Sequence, residues 1–259
     1  MLSKRLIISL YSVLFVVIIL ISAVFAFTVN KIDTEFAFLQ DAEKKTESLN
    51  DKLSSFFGKN LIFLDTKEVV FALSEDPTIE CVSVEKSYPN ALKVAIKERR
   101  AIYLISYEGN QYVADENGFV FKEYTGEKQR DLIRLSFKDI DMGKPVIGTY
   151  LSTNNENYDK SLKSAFEIAK SVDLTDKIDE MRIVKNYGDT SLTSFDVEFF
   201  TYTEVVIKIK KSDDDGINKA KAAFSAYDAA DDYKKSFYSI ETYKEDNGQI
   251  QMVWTRFGD

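Results

Sequence analysis

The stretch IECVSVEKSYPNALKVAIKE, residues 79–98, decides the reading of this chain. Leu92, Val94 and Ile96 alternate with Lys93, Ala95 and Lys97, the period-two pattern of a strand with one buried and one wet face. Ile79–Ser87 is a second β-rich run, and Tyr88-Pro89-Asn90-Ala91 joins the two as a tight turn in which Pro presets φ. The lone cysteine, Cys81, sits in the first strand and reads as a small buried hydrophobe.

Upstream, Glu43–Phe57 reads as a helix, because Leu49, Leu53 and Phe56 recur at i, i+4 and i+7, and Gly58 supplies the stop. Asp65-Thr66-Lys67-Glu68 is an acidic form of the capping box. It opens a short helix (Val69, Val70, Leu73) that must end before Pro77. Thr34–Leu39 is a further strand candidate. The order strand-helix-helix-strand-strand makes a small α+β unit. Still further upstream, residues 6–29 (LIISLYSVLFVVIILISAVFAFTV) carry no charge. As a helix they would rise roughly 36 Å, enough to cross a hydrocarbon core with some tilt. A cleaved signal peptide, cut near Val24-Phe25-Ala26, is the rival reading, but the apolar run exceeds the usual h-region. A retained transmembrane helix is therefore expected. Lys4 and Arg5 in the tail 1–5 place the N-terminus in the cytoplasm by the positive-inside rule and the rest outside.

Downstream of Arg99 the texture becomes that of a mixed β-sheet domain with packed helices. Ala101–Tyr107, Gln111–Ala114 and Phe119–Glu123 read as strands separated by hairpin turns at Glu108-Gly109-Asn110 and Glu116-Asn117-Gly118. A polar stretch, Ser152–Asp159, precedes a helix near Lys160–Ser171. Ser194–Phe200 and Glu204–Lys210 form a hairpin, a helix covers Ile217–Lys234, and Tyr238–Tyr243 and Gln249–Phe257 close the chain. No Pro/Gly/Ser linker separates the units, which meet at Glu98–Ala101.

Composition excludes several classes of function. The net charge is −8, and the part after the apolar stretch holds −10, with no basic patch for nucleic acid. Histidine is absent, which removes Ser-His and Cys-His pairs and the usual zinc sites. Ser83-Val84-Glu85-Lys86 satisfies S-x-x-K but sits in a strand without the companion elements. Asp213-Asp214-Asp215-Gly216 fails the EF-hand spacing and reads as a solvated turn. No positioned acid pair supports glycan hydrolysis. The chain is thus expected to be no enzyme, with no cofactor, no metal and no small-molecule substrate.

Gly58-Lys59-Asn60-Leu61, Leu64-Asp65 and Asp76-Pro77 follow the order G-x-N-L-x-x-L-D and then P. Cys81–Val94 with Lys97-Glu98-Arg99 is similar to V-S-V-x-K-x-Y-P-x-x-L-x-I-x-V-x-E-R, with Val94 and Ile96 at its I and V positions, and Tyr112–Phe121 is similar to V-D-x-x-G-x-V-F, with Ala114 between Val113 and Asp115. In these residues the chain resembles the FtsQ/DivIB bacterial cell-division proteins, over about 58–122. The resemblance implies an FtsQ-type POTRA domain (βααββ) over 33–99 and a β domain over 100–259. The chain departs from the family pattern at Leu39-Gln40-Asp41, where a Gly turn is usual, and in the Tyr238–Tyr243 strand, which lacks the family's Asp and Arg.

The resemblance implies a single-pass type II protein of the cytoplasmic (inner) membrane at the division septum. It would be a scaffold that binds FtsB- and FtsL-type partners outside the membrane and regulates septal peptidoglycan synthesis. The alternative is a POTRA-type chaperone for exported chains. In the family the last strand receives a segment of FtsB, which suits β-augmentation of a free edge. Here that strand carries Ile250, Met252 and Trp254 on one face, with Tyr243 across the turn. Ile250 and Met252 read rather as core, while Trp254 and Tyr243 suit core and interface equally. Glu98-Arg99-Arg100 reads first as a charged strand end, although in the family this region adjoins a recruitment surface.

Overall fold

A computed structural model describes residues 4–37, 42–126, 132–174, 176–186, 194–245 and 247–256, without the side chains at 4–8, 10, 11, 20, 23, 42, 44, 157 and 237. The chain divides into two compact units, one ending at Arg99 and one beginning at Arg100.

The first unit opens with helix α1 (Lys4–Ala26). Lys4 and Arg5 therefore lie in its first turn rather than in a separate tail. The longest run of described side chains within α1 is Ser12–Ile19. Among the described residues no helix is long and apolar enough to cross a membrane. There follow β1 (Lys31–Ala37), α2 (Ala42–Ser54), α3 (Thr66–Ser74), β2 (Ile79–Ser87) and β3 (Ala91–Glu98). The expected order is present. The first strand starts three residues early, and positions 38–39 of the expectation lie outside the described residues.

Strand β3 is central, parallel to β1 and antiparallel to β2. Its inward residues Leu92, Val94 and Ile96 are buried against Leu49, Leu53 and Phe56 of the α2 segment and Val69 and Leu73 of α3. Helix α2 ends at Ser54, earlier than expected, and the turn that follows closes at Gly58 with φ +79°. A left-handed residue of this kind costs glycine nothing. Asp65 caps α3 by accepting from the Lys67 amide at 2.9 Å. The reciprocal half of the capping box is absent, because the Glu68 carboxylate pairs instead with Lys59 Nζ at 3.1 Å. A bulge between Cys81 and Ser83 breaks the alternation of β2, leaving Val82 exposed and Cys81 half-buried. Burial, then the charge of Glu80, raises the Cys81 thiol pKa.

The second unit is a sheet with helices on one face. Its elements are β4 (Tyr103–Tyr107), β5 (Asn110–Ala114), β6 (Phe119–Glu123), β7 (Ile133–Lys138), β8 (Thr149–Tyr150), α4 (Glu156–Lys170), β9 (Ile178–Lys185), β10 (Phe195–Thr201), β11 (Val206–Ile209), α5 (Gly216–Ala229), α6 (Asp232–Phe237), β12 (Tyr238–Lys244) and β13 (Ile250–Arg256). Among the described residues the strand order is β13-β12-β11-β10-β9-β7-β4-β5-β6-β8. The pairs β4–β7, β7–β9 and β11–β12 are parallel; α4 lies in the β7–β9 connection and α5 and α6 in the β11–β12 connection, whereas the strands β5 and β6 come between β4 and β7.

Three strands, β7, β8 and β9, were not anticipated. Helix α4 begins at Glu156, inside the expected polar stretch. The expected long helix 217–234 is two helices, because Asp231 accepts from the Lys234 amide at 2.8 Å and starts a new one after Ala230 turns extended.

One face of the sheet is core: Met181, Ile183, Phe195, Val197, Phe199, Ile207, Ile209 and Ile240 are fully covered by Leu162, Phe166, Ala220, Ala223 and Phe224 of α4 and α5. The opposite face carries a row of ion pairs across neighbouring strands. Ser136 donates to Glu180 (2.5 Å), Arg182 pairs with Glu180 (2.8 Å) and Glu198 (3.9 Å), and Lys208 with Glu198 (3.8 Å). Arg182 also lies 4.3 Å from the Phe200 ring centroid. Each such pair contributes only about 0.2–1 kcal/mol, so the row specifies strand alignment more than it stabilises.

The turn between β5 and β6 explains the Asp115-Glu116-Asn117-Gly118 motif. The buried Asp115 carboxylate accepts from the amides of Asn117 (2.8 Å) and Phe119 (3.0 Å). Gly118 has φ +75°, and a Cβ there would stand 2.4 Å from the Phe166 ring. Gly118→Ala is expected to lower stability by about 2–4 kcal/mol in urea unfolding, through backbone strain and overpacking.

Tyr103 is buried under Phe166, with ring centroids 5.5 Å apart. Burial, then the charges of Glu116 and Asp115, raises its phenol well above the ordinary 10.0. The unfolded chain therefore loses this proton first, and the folded state holds it, so stability falls as pH rises beyond about 10. Denaturant midpoints measured from pH 8 to 11 should show a steeper alkaline decline for the native chain than for Tyr103→Phe.

Candidate functional site

Strand β13 ends the sheet, and among the described residues no further strand pairs with it. Its register with β12 runs from Tyr238↔Arg256 to Lys244↔Ile250. Beyond that pairing, the Glu245 amide donates to the Gln249 carbonyl at 2.9 Å. Antiparallel pairs alternate between bonded and non-bonded, so Tyr243–Gln251, Glu241–Val253 and Ser239–Thr255 are the pairs that exchange backbone bonds. The amides and carbonyls of Ile250, Met252 and Trp254 then point away from β12, along the open flank. These are the groups that an added strand would meet.

The side chains divide differently from the expectation. Ile240 and Thr242, both buried, stand opposite Trp254 and Met252, which places those two on the helix-covered face. Trp254 is half-buried against the core, with Lys234 Nζ 5.5 Å above its ring. Met252, expected as core, is 39% exposed. The reason is its edge position: it has a neighbouring strand on one flank only. Ile250 is half-buried. Tyr243 stands opposite Gln251, on the other face from Trp254, and is 39% exposed. The four residues thus line the two sides of one hairpin end rather than a single patch. Val253, which sequence reasoning passed over, is 43% exposed on the Tyr243 face. Its alternation with Met252 and Trp254 was the signal available for it.

Near this hairpin the turn before α5 is held by buried charge. Lys219 Nζ donates to the carbonyls of Lys210 and of Lys211 (2.9 Å for the latter), and burial lowers its pKa against the raising charges of Asp214, Asp213 and Asp215. For Lys210 burial acts downward too, but the bond and charge of Asp196, 3.0 Å away, raise the pKa overall. Asp213 accepts from Ser194, and Asp214 pairs with Lys244 at 3.3 Å. The Asp run is therefore a bonded turn at the root of the β12 strand end.

The other expected positions lie elsewhere. Glu98 pairs with Lys45 at 2.6 Å, tying β3 to α2. The Arg99 amide donates to the Thr78 carbonyl at 2.8 Å, and its guanidinium, mostly covered, lies 3.6 Å from Glu80. Arg100 is the exposed member of that run and belongs to the second unit. A cavity of about 210 Å³ beside Arg100 is lined by Tyr103, Lys170, Asp173 and Leu174 among others. The side chains of Lys4 and Arg5 lie outside the described residues.

The βααββ unit and the edge-stranded sheet define the class of protein. Residues 43–99 match the POTRA domain, FtsQ-type, so this is a POTRA-domain protein. The chain is 25% identical to the cell division protein DivIB of Clostridium botulinum (strain Hall) over 64% of its own length and 61% of the relative's. It is 30% identical to DivIB of Clostridium acetobutylicum over 39% of each chain. Against the cell division protein FtsQ of Anaeromyxobacter sp. (strain K) the identity is 40%, over 25% of this chain and 22% of the relative. The chain thus spans less than two thirds of the length of these curated relatives. The similarity is to cell division proteins named DivIB and FtsQ.

The geometry separates a structural role from a binding one. Trp254→Ala removes half-buried aromatic packing and should cost about 2–3 kcal/mol in denaturant unfolding. Val253→Asp, on the exposed face, should change stability by no more than about 0.5 kcal/mol.

Proposed function

We propose that this chain is a non-enzymatic scaffold of bacterial cell division. On this reading α1 anchors it as a single-pass type II protein in the cytoplasmic membrane at the septum. The two folded units stand outside and receive FtsB- and FtsL-type partners, through which septal peptidoglycan synthesis is regulated.

The observation that carries the proposal is the open flank of β13. Three alternate residues, Ile250, Met252 and Trp254, leave amides and carbonyls that an extended peptide can pair with, and exposed Tyr243, Met252 and Val253 flank them. Similarity to the cell division proteins DivIB and FtsQ supplies the cell-division context. The anchor reading is supported by the charge-free stretch 6–29 and by the exposure of Val13–Ile19, seven consecutive apolar residues each 42–65% exposed on α1. A helix that apolar all round is stable in hydrocarbon, not in water.

Met252→Pro removes an outward-facing amide while leaving the bonds to β12 intact, because residue 252 is a non-bonded position toward β12. Capture of an FtsB-type extracytoplasmic segment by the purified chain should drop at least tenfold for Met252→Pro. Thermal unfolding should show the variant still folded. Undiminished capture by the folded variant would exclude strand addition at this edge.

A further inference from the structure

The chain leaving α1 is bonded directly into the turn after α2. Thr28 and Asn60 form an antiparallel bridge, the Leu61 amide donates to the Phe27 carbonyl (2.7 Å), and the Val29 amide donates to the Lys59 carbonyl (2.9 Å). Asn60 Nδ2 and Thr28 Oγ1 both donate to the Val24 carbonyl, at 3.0 and 3.1 Å. The two side-chain bonds satisfy the Val24 carbonyl, one of the last carbonyls of α1, which a helix end leaves without intrahelical partners. The turn 60–64 is therefore fixed within hydrogen-bonding distance of the final turn of α1.

The turn is two-sided. Leu61 and Leu64 are buried in the core, whereas Ile62 is 47% exposed and Phe63 81% exposed. Tyr88, 58% exposed, packs edge-on against Phe27 with ring centroids 5.9 Å apart. Lys86 Nζ donates to the Ile62 carbonyl at 3.2 Å, placing a cation beside the apolar side chains. Aromatic rings with a neighbouring lysine are the composition of a membrane–water boundary, where rings sit at headgroup depth and cations meet phosphates.

We propose that Ile62, Phe63 and Tyr88 form an interfacial foot that docks into the headgroup layer of the outer leaflet beside the exit of α1. This rests on the reading of α1 as a membrane anchor. The charge-free helical stretch up to Ala26 rises about 31 Å, which brings Phe27 to the hydrocarbon boundary. The headgroup region beyond it is only about 5–8 Å deep. A turn hydrogen-bonded to Val24 and Phe27 has no room to clear that layer. Lipid is thus the occupant for these exposed side chains, and the contact sets how the first unit stands on the membrane.

The test uses the full chain in Cys81→Ala background, reconstituted in phosphatidylcholine–phosphatidylglycerol vesicles. Phe63→Cys and Val16→Cys are each labelled with an environment-sensitive fluorophore and exposed to lipids spin-labelled at shallow or deep acyl positions. The expected result is several-fold quenching of the position-63 label by shallow lipids and of the position-16 label by deep lipids. Deep quenching at 16 with water-like emission at 63 would overturn the foot and leave the anchor standing. Failure of quenching at both positions would remove the anchor and the foot together. Blue-shifted but unquenched emission at 63 would show that a protein surface covers the turn, which also overturns the proposal. Ile62→Cys, labelled in the same way, supplies an independent second reading.

Discussion

A β-strand carries hydrogen-bonding groups on both flanks, and those groups need partners or water. Among the described residues of the second unit every strand from β12 to β6 lies between two others, and β13 has a neighbour on one side only. The short strand β8 closes the far edge with two residues, too few to offer a template. Among the described residues the long edge of the sheet is therefore the seven-residue β13, and the hairpin with β12 determines which of its groups face outward. The parallel crossover from β11 through α5 and α6 delivers that hairpin to the end of the sheet. Strand β11 pairs with β12 over only three residues, so the hairpin turn extends past the part of the sheet that β11 supports.

The same sheet has helices on one face only, and this governs what could be read from the sequence. Leu92, Val94 and Ile96, Leu49, Leu53 and Phe56, Gly58 and Asp65 announce their elements because each is a local signal that tertiary contacts reinforce. Strand β9 is harder to see, since Asp179, Glu180 and Arg182 interrupt its apolar residues. Those charges make sense only beside Arg134, Ser136 and Glu198, which are distant in sequence and adjacent in the sheet. The division of the α5–α6 segment depends on Asp231 preferring to cap over continuing a helix, a competition that periodicity alone does not register.

The candidate site was legible in part for a related reason. A last strand after a Gly turn is an edge candidate by its place in the chain. The faces of the hairpin are another matter, because face assignment depends on register, and a turn shifts it by whole residues. Tyr243 and Trp254 look like partners across the turn, yet the pairing Tyr243↔Gln251 and Ile240↔Trp254 puts them on opposite sides. Exposure on the helix-facing side follows from edge position as well. Thr242 is fully buried and bonded to the Lys208 carbonyl, while Met252 directly opposite it is exposed. Burial therefore falls off across a single strand at the sheet's end.

The first unit joins the end of α1 through main-chain bonds. In the first unit, backbone pairing between Phe27–Val29 and Lys59–Leu61 extends the folded unit to the last turn of α1. Such pairing resists rotation better than one flexible residue would, because several bonds must break together. A helix attached in this way transmits its orientation to the core through Val29 and Leu61, both buried among Leu53, Phe56 and Leu73. A partner that met this unit at a membrane would encounter a surface held in one pose. The entropic cost of ordering a tether is then absent from binding, and affinity rests on contacts made at the interface itself.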